Sequence, residues 1–305
     1  MSMLLTDLEV PPLASTRSAG WQRIADFVEL TKPRIAVMEL VTVTIAALVA
    51  RWHALDPLTL LHTLLGTTLV AGSASALNQC LEIELDRRMP RTQDRPLPAG
   101  RISLGEAWFF GVVSVFAGIA YLALMVNLTV ALLGLASWII YVVIYTPLKT
   151  RTTLNTLIGA VAGGMPILMG WSAAGGSWSL APLVLFMIVF LWQFPHFMAI
   201  AWLYRRDYAA AGMQMLPVVD SSGRLAGVQA VASALVLLPI SMLPAVIHCA
   251  GPIYLAVAFV LSTAQLGVAI WFCRSPDVRS ARWLLRASLI YLPLLLFALL
   301  LGPFI

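Results

Sequence analysis

The sequence predicts an all-α membrane protein, with about nine transmembrane helices in a bundle built as two four-helix units plus one. Three observations carry this reading. Of 305 residues, 60% are hydrophobic and 11% charged, whereas a soluble domain spends about a quarter on charge; mean hydropathy is +0.90. Apolar runs of roughly 20 residues, the length that crosses a hydrocarbon core about 30 Å thick, recur along the chain. The charged residues gather at alternate connections between those runs.

Residues 1–20, MSMLLTDLEVPPLASTRSAG, contain Pro and Ser but no continuous apolar core of signal-peptide length, so they read as a mobile cytoplasmic tail. Residues 21–305 read as one transmembrane domain. Its apolar runs, bounded by Pro, Gly or charge, fall at 34–53, 58–77, 104–126, 128–147, 154–174, 178–203, 225–248, 251–273 and 287–304. They leave no room for a soluble domain of the usual 50 residues or more, so any site lies within or at the rim of the bundle.

Eighteen of the 19 Lys and Arg residues lie in the amino-terminal segment or after spans two, four, six and eight; only Arg51 does not. The positive-inside rule then predicts a cytoplasmic amino terminus and, with an odd number of spans, an outer carboxyl terminus in the cell inner membrane. A net charge of +5 could serve nucleic acid in a soluble protein. Here the cations hug membrane ends instead of lining a soluble face, so no nucleic-acid partner is expected. Cys80, Cys249 and Cys273 show neither CxxC pairing nor metal spacing.

Two connections are long and polar, 78–103 and 204–224, and each sits in the middle of a four-span unit. The arrangement points to internal duplication and predicts that the two connections meet over one cavity. Small-residue stretches such as Ala71–Ala76 and Gly159–Gly164 suit close helix packing in lipid. Pro166, Pro195, Pro239, Pro244 and Pro293 should kink their spans.

Span two runs into NQCLEIELD and then RRMPRTQDRPLPAGR. On a continuing helix Asn78, Glu82 and Asp86, spaced i, i+4 and i+8, share one stripe, while Glu84 points elsewhere. Two carboxylates and an amide oxygen so placed repel each other unless a cation sits among them, and hard oxygen donors suit Mg²⁺. Arg87, Arg88, Arg91, Arg95 and Arg101 follow, and guanidinium forks match phosphate oxygens. Together they describe a diphosphate site; the plain alternative is a solvated loop whose arginines fix topology.

After span six come Trp192-Gln193-Phe194-Pro195-His196-Phe197 and Arg205-Arg206-Asp207-Tyr208. Asp207 could add a carboxylate to the same metal site. His196 could ligate iron, bond a propionate or satisfy a helix kink. Tyr145, Lys149 and Arg151 could close the phosphate site or anchor spans four and five, and Glu39, inside the first span, is a functional candidate by location.

With these residues in view, the chain resembles the intramembrane UbiA-type prenyltransferase superfamily and, within it, the protoheme IX farnesyltransferase (haem O synthase) branch. The matching segments, in the family's order, are TKPR from Thr31, NQCLEIELDRRMPRT from Asn78, RPLPAGR from Arg95, LWQFPHF from Leu191, RRDYAAAGMQMLPVV from Arg205 and SLIYLPLL from Ser288. Two departures from the superfamily pattern stand out. Glu82 replaces the middle Asp of Asn-x-x-x-Asp-x-x-x-Asp, and the second Asp-rich motif is reduced to Asp207-Tyr208, as in the haem branch.

The resemblance implies transfer of farnesyl from farnesyl diphosphate to the 2-vinyl group of haem b. Water completes the hydroxyethylfarnesyl product, and haem A synthase or terminal-oxidase assembly proteins are the implied partners. It further implies Mg²⁺ held by Asn78, Glu82, Asp86 and Asp207, which are also the expected catalytic residues, and substrate held by Arg87, Arg91, Arg95, Tyr145, Lys149, Arg151, His196 and Tyr208. Trp108, Phe109, Trp138, Tyr141, Tyr145 and Trp192 are candidates to line the prenyl cavity. The rival readings are prenylation of an aromatic quinone precursor on the same fold and, from another class, a secondary transporter. A transporter should carry charge in both halves of the membrane.

Overall fold

A computed structural model describes residues 19–301 apart from His53, and among the described residues every regular element is helical. The expectation of a mobile tail falls outside the described residues, except for positions 19 and 20, which open a helix. That helix, α1 (Ala19–Leu30), precedes the first span. It buries Asp26 and Leu30, exposes Trp21, Ile24 and Val28, and is tied down by Arg101 and by an Arg23–Glu106 ion pair.

Then follow α2 (Pro33–Ala50), α3 (Pro57–Leu81), the short α4 (Ile83–Arg87), α5 (Leu104–Met125) and α6 (Leu128–Trp138). The last of these widens into a π-helical stretch, Ile139–Tyr145, and ends as α7 (Thr146–Leu148). The rest of the chain forms α8 (Asn155–Ala173), α9 (Leu180–Leu203), α10 (Arg205–Ala210), α11 (Leu216–Val219), α12 (Arg224–Val246), α13 (Pro252–Arg274) and α14 (Val278–Leu301). Counting α6 to α7 as one, nine of the described helices are long and apolar enough to cross a membrane, in the order the sequence predicts.

The main difference in boundary is at α14, which begins at 278 instead of 287. Its first turns carry Arg279, Arg282 and Arg286, which a search for apolar runs rejects. They nonetheless bury Ser280, Ala281 and Leu284 on the opposite face.

Helix starts obey the rule that lipid cannot satisfy a free N–H. Pro opens α2, α3 and α13, where its missing donor does no harm. Asp56 accepts from Leu58 N and Thr59 N, and Asn127 Oδ1 accepts from Val130 N at 2.9 Å. Ser103 and Glu106 bond reciprocally to each other's backbone N–H at the start of α5. Ser103→Ala should cost about 1 kcal/mol, read as a lower melting temperature in detergent with activity retained.

The packing follows the two predicted units only in part. In the first, α3 packs on α2, α5 and α6; in the second, α12 packs on α9 and α13 and α8 on α9, with α14 laid against α13 and α9. Span α8 is the most buried and crosses the division, packing on α2 and α6 as well as on α9. Its Gly170 meets the backbone of Val43 so closely that a Cβ would fall on the Val43 carbonyl. Large apolar side chains such as Phe109, Phe116, Leu124 and Val260 face outward, as expected where lipid is the solvent. Trp108 and Phe109 are thereby removed from the candidates for an internal prenyl cavity, being 39% and 73% exposed.

Candidate active site at the polar end of the bundle

The first motif keeps its stripe although the helix breaks. Glu82 leaves helical geometry (φ −104, ψ 8) and separates α3 from α4. Yet Glu82 N still donates to Asn78 O at 3.0 Å and Asp86 N to Glu82 O at 2.8 Å, so the i, i+4, i+8 register survives. All three side chains are buried, Asn78 at 0%, Glu82 at 4% and Asp86 at 1% exposure.

Each is met by a cation from a different part of the chain. Lys32 Nζ donates to Asn78 Oδ1 at 2.7 Å, Lys149 Nζ pairs with Glu82 Oε1 at 2.7 Å, and Arg95 Nη1 donates to Asp86 Oδ2 at 2.8 Å. Burial, then the charges of Arg95 and Lys149, lowers Lys32 to about 7. Burial also opposes the charge on Lys149, but Glu82 and Tyr145 outweigh it and hold this lysine above its ordinary value. Asp86 Oδ1 is sealed from solvent and has no hydrogen-bond donor.

The connections are folded to deliver these groups. Thr92 Oγ1 donates to Asp86 O at 2.9 Å, and Arg95 N to Thr92 O at 3.1 Å, turning the chain back so that Arg95 reaches Asp86. The following Pro96-Leu97-Pro98 turn buries Leu97 and closes with Arg101 N on Pro96 O at 2.8 Å. It sends Arg101 the other way, to Asp26 and Glu29 of α1.

On the far side, the π-helical stretch brings Thr146 Oγ1 onto Tyr141 O at 2.9 Å, and Asn78 Nδ2 donates to Thr146 Oγ1 at 3.1 Å. Such stretches often mark functional sites; this one places the Tyr145 ring 4.7 Å from Lys149 Nζ. The second long connection is pinned over the first. Gln214 N donates to Lys149 O at 2.6 Å, buried Asn155 Nδ2 to Gln214 O at 3.0 Å, and Met89, Ala211 and Met213 share one apolar cluster.

The two connections therefore meet over one cavity of about 90 Å³. Of the predicted site residues, Asn78, Glu82, Asp86, Arg91, Arg95, Tyr145, Lys149 and Tyr208 line it. Arg91 also stacks over the Tyr204 ring, 4.7 Å from its centre. Four cationic side chains face two carboxylates there, an excess of positive charge that suits a polyanion.

Four candidates are not brought in. Arg87 turns outward to Glu84 at 2.6 Å, and Arg151, which follows the α7 turn, does not line the cavity. Asp207 is half-buried on α10, one residue from Tyr208, and does not line the cavity either, because the short helix points Tyr208 inward in its place. His196 lies deeper, against Ser288 of α14. Glu39 stands seven residues below Lys32 on α2, within electrostatic reach of Lys32 and Tyr141.

Among the described residues no three His, Cys, Asp or Glu side chains gather as a metal cluster. The donor set that is present still fits a hard cation. Two buried carboxylates, one oxygen of which lacks any donor, stand beside an amide oxygen, and Mg²⁺ needs one or two carboxylates when substrate phosphates and water supply the rest.

Lys32 and Thr146 were not singled out from sequence. The TKPR segment held the available signal for Lys32: a cation in left-handed geometry (φ 52) directly before the Pro that starts a span.

Comparison with known proteins gives the family. Residues 40–301 match the model of the UbiA prenyltransferase family. The protoheme IX farnesyltransferase of Solibacter usitatus is 42% identical over 279 residues, covering 88% of this chain and 96% of that protein. The chain belongs to the UbiA prenyltransferase family, in its protoheme IX farnesyltransferase branch.

Solved structures share the family fold at lower identity. A digeranylgeranylglyceryl phosphate synthase superposes with a TM-score of 0.79 at 19% identity, over 92% of this chain and 98% of that one. A UbiA homologue from Archaeoglobus fulgidus, bound to GPP and Mg²⁺, gives 0.65 at 17%, over 90% and 99%.

Proposed function

We propose that this multi-pass membrane enzyme transfers the farnesyl group of farnesyl diphosphate to the vinyl group of haem b, with water adding its hydroxyl to the other vinyl carbon and losing a proton, giving haem o and diphosphate. The supporting observation is the sealed Asp86 carboxylate, half of it without a donor, at the floor of a cavity ringed by Lys32, Arg91, Arg95 and Lys149. Relatives about 42% identical over most of the chain are protoheme IX farnesyltransferases, which favours haem over an aromatic quinone precursor as acceptor.

Lys32, Arg91, Arg95 and Lys149 bind the diphosphate oxygens, the guanidiniums in a forked geometry. Asn78, Glu82 and Asp86 would hold Mg²⁺, which supplies charge neutralisation for the leaving diphosphate. The Tyr145 and Tyr141 rings, 5.3 Å apart, present faces that attract the positive charge developing on the allylic carbon. Met89, Met213 and Met215 cover the cavity and restrict water there, so that charge is stabilised by fixed groups and premature hydrolysis is suppressed.

We place the enzyme in the cytoplasmic membrane with the cavity and amino terminus facing the cytoplasm and the carboxyl terminus outside, on the strength of the basic residues clustered at the cavity end. Its product would pass to haem A synthase or terminal-oxidase assembly proteins.

The deciding assay gives purified protein Mg²⁺, farnesyl diphosphate and haem b and weighs the product. Farnesylated haem is expected, with none of the corresponding product from 4-hydroxybenzoate; the reverse would overturn the acceptor. Because Asp207 does not line the cavity, Asp207→Asn should keep diphosphate release within about tenfold of the parent enzyme. A loss as deep as that of an Asp86 variant would return Asp207 to the metal site.

A further inference from the structure

His196 is oriented by a hydrogen-bond network whose protons can be placed by counting donors. The Ser288 hydroxyl has one proton, and its oxygen lies 2.7 Å from Leu285 O, a pure acceptor. Towards His196 Nδ1, at 2.9 Å, Ser288 Oγ is therefore the acceptor, so Nδ1 carries the hydrogen and the ring's other nitrogen, Nε2, is left with the lone pair. Among the described residues Nε2 has no hydrogen-bond partner, nor is it one of the polar atoms sealed from solvent. Its lone pair is therefore ready to accept.

The ring is also clamped in plane. Trp192 stacks on it, with centroids 4.9 Å apart and planes 23° apart, and Trp192 Nε1 is itself tied to Ser288 O at 2.7 Å. An Nδ1–H held by an oxygen acceptor, with a ring orientation fixed by packing, is how proteins prepare imidazole for a metal.

The imidazole lies towards the polar end of the bundle, between α9 and α14. The apolar cluster that joins α2 to α14 takes Ile45, Ala46, Val49 and Ala50 from α2 and Tyr291 onward from α14. His196 and Ser288 sit on the polar-end side of that contact.

Building on the haem-acceptor reading above, we infer that His196 Nε2 is an axial ligand to the iron of the haem substrate. A bond to the iron holds the macrocycle by its centre and leaves a vinyl group at its edge free to react, which a contact to the periphery would not.

The test uses the full-length protein in detergent, titrated with haem b and followed by its Soret and visible bands, with iron-free protoporphyrin IX as a parallel probe. The parent protein should give an imidazole-ligated spectrum. His196→Ala should lose that spectrum and weaken haem affinity at least tenfold while binding iron-free porphyrin within twofold, and added imidazole should restore the bands. Ser288→Ala should weaken haem, and not iron-free porphyrin, by about tenfold.

An unchanged spectrum in His196→Ala would overturn the ligand assignment and leave the acceptor reading standing. Equal losses of haem and iron-free porphyrin would reduce His196 to packing and overturn it too. Failure of the parent protein to take up either porphyrin would sink the acceptor reading itself.

Discussion

Asp86→Asn is expected to lower turnover by about 10³-fold, with the protein still inserted and folded. The magnitude is that of removing one preorganised charge-stabilising group from a site shielded from water. The substitution keeps the side chain's shape, and the amide oxygen can still accept from Arg95, which lies 2.8 Å from Asp86 Oδ2. What is lost is the negative charge and the second oxygen, the one that no donor satisfies.

That difference separates two roles for Asp86. If it holds the divalent ion, Mg²⁺ should strengthen diphosphate binding to the parent protein and do so far less in Asp86→Asn. Metal-free diphosphate should bind the variant as well or better, because a repelling carboxylate has gone. Calorimetry with and without Mg²⁺ reads both quantities. A variant that keeps the Mg²⁺ enhancement and loses only stability would make Asp86 a structural partner of Arg95.

The stripe that carries Asp86 is visible in the sequence, and the reason is local. An i, i+4, i+8 stripe needs only the helical period, and the backbone bonds from Asn78 to Glu82 to Asp86 preserve it even across the break at Glu82. Span count was legible for a similar reason, since each crossing must supply its own apolar length whatever its neighbours do.

Choices that depend on tertiary direction were not legible. Five arginines within 87–101 look equivalent in sequence, but the turn at Pro96–Pro98 points Arg95 to Asp86 and Arg101 to α1, while Arg87 pairs with Glu84 outside. Asp207 and Tyr208 are adjacent, and only the seating of α10 decides that the tyrosine faces the cavity. Lys32 is 46 positions from the Asn78 it touches, a pairing that no local pattern encodes.

That long-range pairing depends on how α2 is held, and this leads to the second large effect: Gly170→Val should be severely destabilising and should disable the site from a distance. A Cβ at Gly170 would land on the carbonyl and Cα of Val43, backbone atoms in a helix that cannot yield as a flexible side chain does. Overpacking of a core usually costs about 1–3 kcal/mol, and with unyielding backbone as the obstacle the cost should reach at least about 3 kcal/mol. The relief is to push α2 off α8. Because α2 rises about 1.5 Å per residue, the collision lies roughly 16 Å along the helix from Lys32, and a tilt there carries Lys32 Nζ away from Asn78.

The expected result is a marked fall in melting temperature and, in whatever protein remains folded, weaker farnesyl diphosphate binding. Gly267→Ala on α13 is the matched control, since nothing lies within 4 Å of the added Cβ and replacing a helical Gly should stabilise slightly. If Gly170→Val melts no lower than Gly267→Ala, then α2 is not pressed against α8 at Val43, and the support proposed for Lys32 is lost.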